Sequence, residues 1–150
     1  MSFPPNRFVP FCRLEPLHHV QCHEWTNQLD DAPVVSIIDD DVSSRIGTMR
    51  LLRSLGFIVY AFPSAHAFLH SEQLTGTACL ISDVQMPEMN GIQLQDLLHA
   101  RGLRIPVIFI TAFHDERVRA QALDRGATCF LSKPFDAETL SRCLKTALKE

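Results

Sequence analysis

The chain has 150 residues, 46% of them hydrophobic and 21% charged, with a formal net charge of −3, the size and make-up of one ordinary globular domain. It has no basic surplus of the kind that grips a polyanion, and no apolar stretch reaches the roughly 18 residues a membrane span requires. Its first 30 residues lack the apolar core of a secretory signal peptide, so a cytoplasmic protein that binds neither nucleic acid nor membrane is expected.

Residues 1–33 stand apart. They hold Pro4, Pro5, Pro10, Pro16 and Pro33 with scattered aromatics and no sustained period, which predicts an irregular or disordered arm. His18, His19, Cys22 and His23 are zinc-ligand types, but the sequence offers no matching second cluster and their spacing fits no closed site. The five cysteines do not read as a disulfide framework. Cys79, Cys129 and Cys143 lie in apolar patterns, where each is expected to act as a small free-thiol hydrophobe.

From Val34 the pattern becomes regular. Val34–Ile38 is a short β-branched run, as expected for a strand buried on both faces, and it ends in Asp39-Asp40-Asp41. Asp41 is expected mostly to cap the helix that follows, in which Val42, Ile46, Met49, Leu52 and Leu55 recur at helical spacing before Gly56 closes it. Residues 57–61 predict a second strand, and Ser64 a cap for a short helix carrying Ala65, Phe68 and Leu69. The third strand, 78–82, delivers Asp83.

A loop containing Pro87 then leads to Gly91, which opens a helix with Leu94, Leu97 and Leu98 on one face. Residues 106–110 form the fourth strand, with Pro106 first, where a missing N–H does least harm; it ends in Thr111. A polar helix over about 115–125 has a thin seam of Val118 and Ala122 and stops at Gly126. The fifth strand, 128–132, runs into Lys133-Pro134-Phe135. The last helix, about 136–149, turns Leu140, Leu144, Ala147 and Leu148 inward.

Strands alternating with helices specify an α/β doubly wound five-stranded parallel sheet. In the order 2-1-3-4-5 its crevice opens between strands 1 and 3, at their C-terminal ends. Those are the two strands that end in bare carboxylates. The same rim collects Asp39, Asp40, Asp83, Thr111 and Lys133. Converging carboxylates repel one another, which raises their proton affinity and suits a hard divalent cation such as Mg2+. A hydroxyl and an ammonium facing that cation suit a group with several anionic oxygens, most simply a phosphoryl group. Asp83, central to the rim, is the best nucleophile.

Ile37-Ile38-Asp39-Asp40-Asp41, Asp83-Val84-Gln85-Met86-Pro87-Glu88-Met89-Asn90-Gly91, Ile110-Thr111-Ala112 and Lys133-Pro134-Phe135 together resemble the receiver domain of two-component response regulators, the flavodoxin-like or CheY-like (βα)5 fold, over residues 34–150. Tyr60–Ala65 with Phe68-Leu69 resembles its FixJ-type branch. The resemblance implies that Asp83 accepts a phosphoryl group from a phosphohistidine of a sensor kinase or phosphotransfer protein. It implies that Asp40, Asp83 and the Gln85 carbonyl hold Mg2+, with Asp39 acting through water. Lys133, Thr111 and the backbone of Val84 and Ala112 would meet the phosphoryl group, and the bond before Pro134 is expected to be cis.

Thr111 and Phe130 would be the switch pair, reshaping the face of helix 4, strand 5 and helix 5 for an unknown downstream protein or for dimerisation. Gln85 and Phe113 would tune the lifetime of the phosphoaspartate, with Phe113 bulky enough to shield it. The chain is thus expected to be a signalling phosphoacceptor with limited self-phosphorylation and autodephosphorylation, not an enzyme. FixJ-type regulators carry a DNA-binding domain after the receiver; here the residues stop at Glu150, which fits a stand-alone receiver or a truncated regulator. Two rivals are an aspartate-based Mg2+ phosphatase and a receiver-like scaffold working without phosphorylation. The phosphatase needs a second Asp two residues after the nucleophile, where Gln85 stands, and a cap domain; the scaffold makes no use of an intact acidic pocket.

Overall fold

The computed structural model describes residues 32–149. The arm, with His18, His19, Cys22 and His23, lies outside the described residues apart from its last two positions. Among the described residues five strands form: β1 (Val34–Ile38), β2 (Ile58–Phe62), β3 (Cys79–Asp83), β4 (Val107–Thr111) and β5 (Cys129–Ser132). Between and after them run α1 (Val42–Ser54), α2 (Ala65–Leu69), α3 (Gly91–Ala100), α4 (Glu116–Asp124) and α5 (Ala137–Leu148). The sheet order is β2-β1-β3-β4-β5, and every pairing is parallel.

Two cores explain why the strands read as unbroken apolar runs. Val35, Ile37, Cys79, Ile81, Ile108 and Ile110 face one layer with Leu52 of α1 and Leu140, Leu144 and Ala147 of α5. Ile38, Leu80, Val107 and Phe109 face the other, with Phe68 of α2, Leu94 and Leu98 of α3 and Ala122 of α4. Alternate residues thus serve opposite layers, and a strand covered on both sides has no position where a polar residue is favoured. Ser36 is tolerated there because it has a partner: wholly buried, it shares a hydrogen bond of 2.7 Å with Thr77.

Helix caps fall where short polar side chains precede each helix. Asp41 accepts from the Ser44 N–H at 2.8 Å, Ser64 from the Ala67 N–H at 3.1 Å, and Asp136 from the Thr139 N–H at 2.7 Å. Asn90 and Gln93 form a reciprocal capping box at the start of α3, which satisfies two N–H groups the helix cannot.

Three details differ from the sequence reading. β2, β3, β4 and β5 each begin one residue later than the pattern suggests; at β2 the Phe57 N–H is taken by Leu52 O in the turn after α1. On α1, Val42, Ile46 and Leu55 stay exposed while Thr48 and Leu52 are buried; the apolar spacing runs past the stripe that meets the sheet. Cys129 and Cys143, expected as separate thiols, are joined as a disulfide with Cα atoms 6.1 Å apart. Their meeting depends on how α5 lies over β5, which no local pattern encodes. Cys79 is the free cysteine among the described residues, and burial pushes its thiol up to about 12.

Candidate functional site

Parallel strands deliver their last side chains to one rim, so the site follows from where each apolar run stops. β1 stops at Ile38, and Asp39 is fully buried beyond it, its N–H given to Phe62 O at 3.1 Å. One Asp39 carboxylate oxygen accepts the Asp41 N–H at 3.0 Å, and the Asp39 carbonyl accepts the Arg45 guanidinium at 2.7 Å. Asp40 is exposed. Asp83 ends β3 in the middle of the sheet, 8% exposed, opposite Ile110 of β4.

Ligand oxygens of Asp39, Asp40 and Asp83 lie within 4.8 Å of one another. Lys133, one residue beyond β5, brings its Nζ to 3.1 Å from Asp39 Oδ2 and 3.3 Å from Asp83 Oδ2. The peptide bond from Lys133 to Pro134 is cis, as expected. Burial raises the Asp83 carboxyl above its ordinary 3.8, with Lys133 opposing and Asp39 adding to the rise. The higher proton affinity expected from repulsion is therefore present, although desolvation leads it. For Lys133, burial pulls the ammonium down, but its hydrogen bond to Asp39 and the two negative charges outweigh that pull, and the net direction is up. One ammonium serving two carboxylates leaves the cluster with surplus negative charge. Its donors are all hard oxygens, so Mg2+ fits the set better than a soft metal.

The other predicted residues sit around this cluster. Thr111 ends β4 on the same rim and is buried, but its hydroxyl is held within its own loop, exchanging hydrogen bonds of 3.1 Å with the backbone of Phe113. The Val84 N–H, read from sequence as a phosphoryl donor, instead gives its hydrogen bond to Ile110 O at 3.1 Å. It continues the β3–β4 ladder, and the next amide, Gln85 N–H, is the one aimed at Asp83 Oδ1, at 3.2 Å. Ala112 is exposed. Phe113 is 69% exposed. Phe130 lies away from the cluster, half-buried in β5 with its ring 6.4 Å from Phe109.

Sequence reasoning missed two supports. Arg45, one turn into α1, anchors the backbone of Asp39. Gly91 is more than a helix opener: a Cβ there would lie 2.6 Å from Asp83 O and 2.7 Å from the Phe109 ring. Its N–H also closes the loop onto Val84 O at 2.8 Å. A glycine eight residues after a strand-end carboxylate was the available signal.

Comparison with known proteins agrees with this geometry. A family model described as the response regulator receiver domain matches residues 35–145. Response regulator protein TodT of Pseudomonas putida is 40% identical over 120 residues, 80% of this chain and 53% of TodT. Response regulator protein TmoT of Ectopseudomonas mendocina is 41% identical over 120 residues, 80% of this chain and 54% of its own. The crystal structure of FixJ-N superimposes with a TM-score of 0.73 at 30% identity, covering 80% of this chain and 96% of that one. The chain spans about half the length of the curated relatives it matches.

Proposed function

The chain belongs to the response regulator receiver family of two-component systems, and we propose that Asp83 is its phosphoryl acceptor, with residues 34–150 as the receiver unit. The observation that carries this is the pairing at one rim: a buried carboxylate ending β3, with Lys133 Nζ 3.3 Å away and two more carboxylates beside it. In the transfer, an Asp83 oxygen bonds to phosphorus while the bond from phosphorus to the donor imidazole nitrogen breaks, its electron pair staying on that nitrogen. Lys133 holds the Asp83 carboxylate before transfer and stays as a point charge for the phosphoryl oxygens after it. The Gln85 N–H, already turned toward Asp83, and the Ala112 N–H donate to those oxygens.

Asp40, Asp83 and the Gln85 carbonyl would hold Mg2+, with Asp39 acting through water. When bound, the ion neutralises the carboxylates and the charge on the phosphoryl oxygens. Thr111 then leaves the Phe113 backbone to donate to the phosphoryl group, and Phe130 turns further inward, reshaping the α4–β5–α5 face. The chain works in the cytoplasm, and its partners are a sensor kinase or phosphotransfer protein upstream, and a downstream protein or a second copy of the chain. The Gln85 side chain and Phe113 tune the lifetime of the phosphoaspartate.

Incubation with acetyl phosphate and Mg2+, followed by intact mass, tests this reading. One added phosphoryl group is expected, lost in Asp83→Ala. Labelling that survives the substitution contradicts it. Absence of labelling favours the scaffold, and rapid release of phosphate with no adduct favours the phosphatase.

A further inference from the structure

The sulfur pair lies on the element proposed to carry the signal. Cys129 opens β5, which among the described residues is an edge strand bonded only to β4. Along it the side chains alternate: Cys129 and Leu131 pack on the layer that contains α5, and Phe130 between them packs on the opposite layer against Phe109. One residue past the strand stands Lys133, bonded to Asp39 and Asp83. Cys143 lies in the middle of α5, 6% exposed, among Leu140, Leu144 and Ala147. A link from Cys129 to Cys143 therefore fastens to α5 the strand that bears both the aromatic and the lysine. A strand held at its first residue cannot slide or tilt against that helix.

We propose that Cys129 and Cys143 are a reversible thiol–disulfide site, oxidised by low-molecular-weight disulfides such as glutathione disulfide, whose closed state clamps β5 to α5 and damps the phosphorylation-dependent change of the α4–β5–α5 face. The clamp's effect on signalling rests on the phosphoacceptor reading above; the sulfur chemistry does not. The Cα separation of 6.1 Å is within the span a disulfide bridges, so either state needs little backbone movement. Cys129 is only partly buried, which lets a small disulfide reach it. Cys79 is wholly buried, with its thiol pushed to about 12, and does not compete.

The chemistry balances in two exchanges. The Cys129 thiolate attacks one sulfur of glutathione disulfide, breaking its S–S bond and releasing one glutathione thiolate. The Cys143 thiolate then attacks the Cys129 sulfur of the mixed disulfide and releases the second. The protein loses two electrons, glutathione disulfide gains them, and the two thiol protons pass to the released glutathione.

The test uses the full chain, equilibrated in glutathione buffers from fully thiol to fully disulfide, quenched with N-ethylmaleimide and digested with trypsin without reduction. The peptide Gly126–Arg142 is expected linked to Cys143–Lys145 in oxidising buffer, and both alkylated in reducing buffer. Amide exchange over residues 129–132 in the unlabelled chain should slow at least tenfold on oxidation. After labelling with acetyl phosphate and Mg2+, both forms should carry the phosphoryl group. The label-dependent change in exchange over residues 116–132 should be lost in the oxidised form and return with dithiothreitol. A Cys129→Ser/Cys143→Ser chain should label normally and respond alike in both buffers. Alkylation of both Cys129 and Cys143 in oxidising buffer, or equal exchange in both redox forms, would overturn the proposal. Failure of both forms to label counts against Asp83 as acceptor, while the linked peptide and the unlabelled exchange still decide the clamp.

Discussion

Gly91 gives the sharpest link between packing and the site. Its missing Cβ leaves room for two groups that cannot retreat: the Asp83 carbonyl, fixed in the central strand, and the Phe109 ring, which is wholly buried. Alanine would place a carbon 2.6 Å from the first and 2.7 Å from the second, well inside the 3.4 Å at which ordinary contact begins. Overpacking of a filled core costs about 1–3 kcal/mol. The helix-propensity gain of alanine is at most about 1 kcal/mol in a helix interior and smaller at the first helical position. The net loss is then about 1–2 kcal/mol, a fall in Tm of roughly 3–10 °C for a domain of this size. The strain also displaces the carbonyl of Asp83, so labelling by acetyl phosphate should slow. Gly47, inside α1, supplies the control, because a methyl added there would meet nothing within 4 Å. Gly47→Ala should gain about 0.5–1 kcal/mol and label normally. Thermal unfolding of both variants beside the parent is sufficient. A Gly91→Ala protein as stable as the parent, labelling at the same rate, would refute the close approach as the reason for glycine at this position.

Four further outcomes follow from the acidic cluster. Mg2+ at a hundredfold excess over its Kd should stabilise the folded chain by about 2.7 kcal/mol, and Asp40→Asn should shrink the rise in Tm. In EDTA, the raised Asp83 carboxyl means the folded chain binds a proton more tightly than the unfolded one, so stability falls as pH rises from about 3.8 through the folded-state value. Asp83→Asn should therefore raise Tm at neutral pH and lose that advantage in acid; a lower Tm at neutral pH would reverse the sign of the argument. Lys133→Ala leaves two close carboxylates without their shared ammonium, which should lower stability by about 1–3 kcal/mol and weaken the Phe130-face response more than labelling itself. Phe113→Ala, at a residue 69% exposed, should alter stability by less than about 0.5 kcal/mol while shortening phosphoaspartate lifetime; an unchanged decay rate would remove Phe113 from that role.

The sheet was legible because its three inner strands, β1, β3 and β4, are buried on both faces and so read as unbroken apolar runs, with Gly56, Gly91 and Gly126 marking helix limits. The cluster was legible for a related reason: parallel strands bring their ends together, so Asp39, Asp83 and Lys133 needed only to be recognised as strand ends. What escaped notice depends on distance in space. Whether Val42 and Ile46 face the sheet or solvent is set by where α1 crosses it. Cys129 and Cys143 look like two core residues until α5 is laid over β5. The Val84 and Gln85 amides are neighbours in sequence, and only the β3–β4 ladder decides which one is free to turn toward Asp83.

The proposed chemistry rests on one side chain, Asp83, taking the phosphoryl group. Borohydride reduces an acyl phosphate of aspartate to homoserine, so reduction after labelling with acetyl phosphate and Mg2+, followed by peptide sequencing in the mass spectrometer, reads the acceptor directly. Homoserine at position 83, and at none of Asp39, Asp40 and Asp41, is the predicted result. Homoserine at one of those three, or a phosphoryl group retained on a histidine, would contradict it.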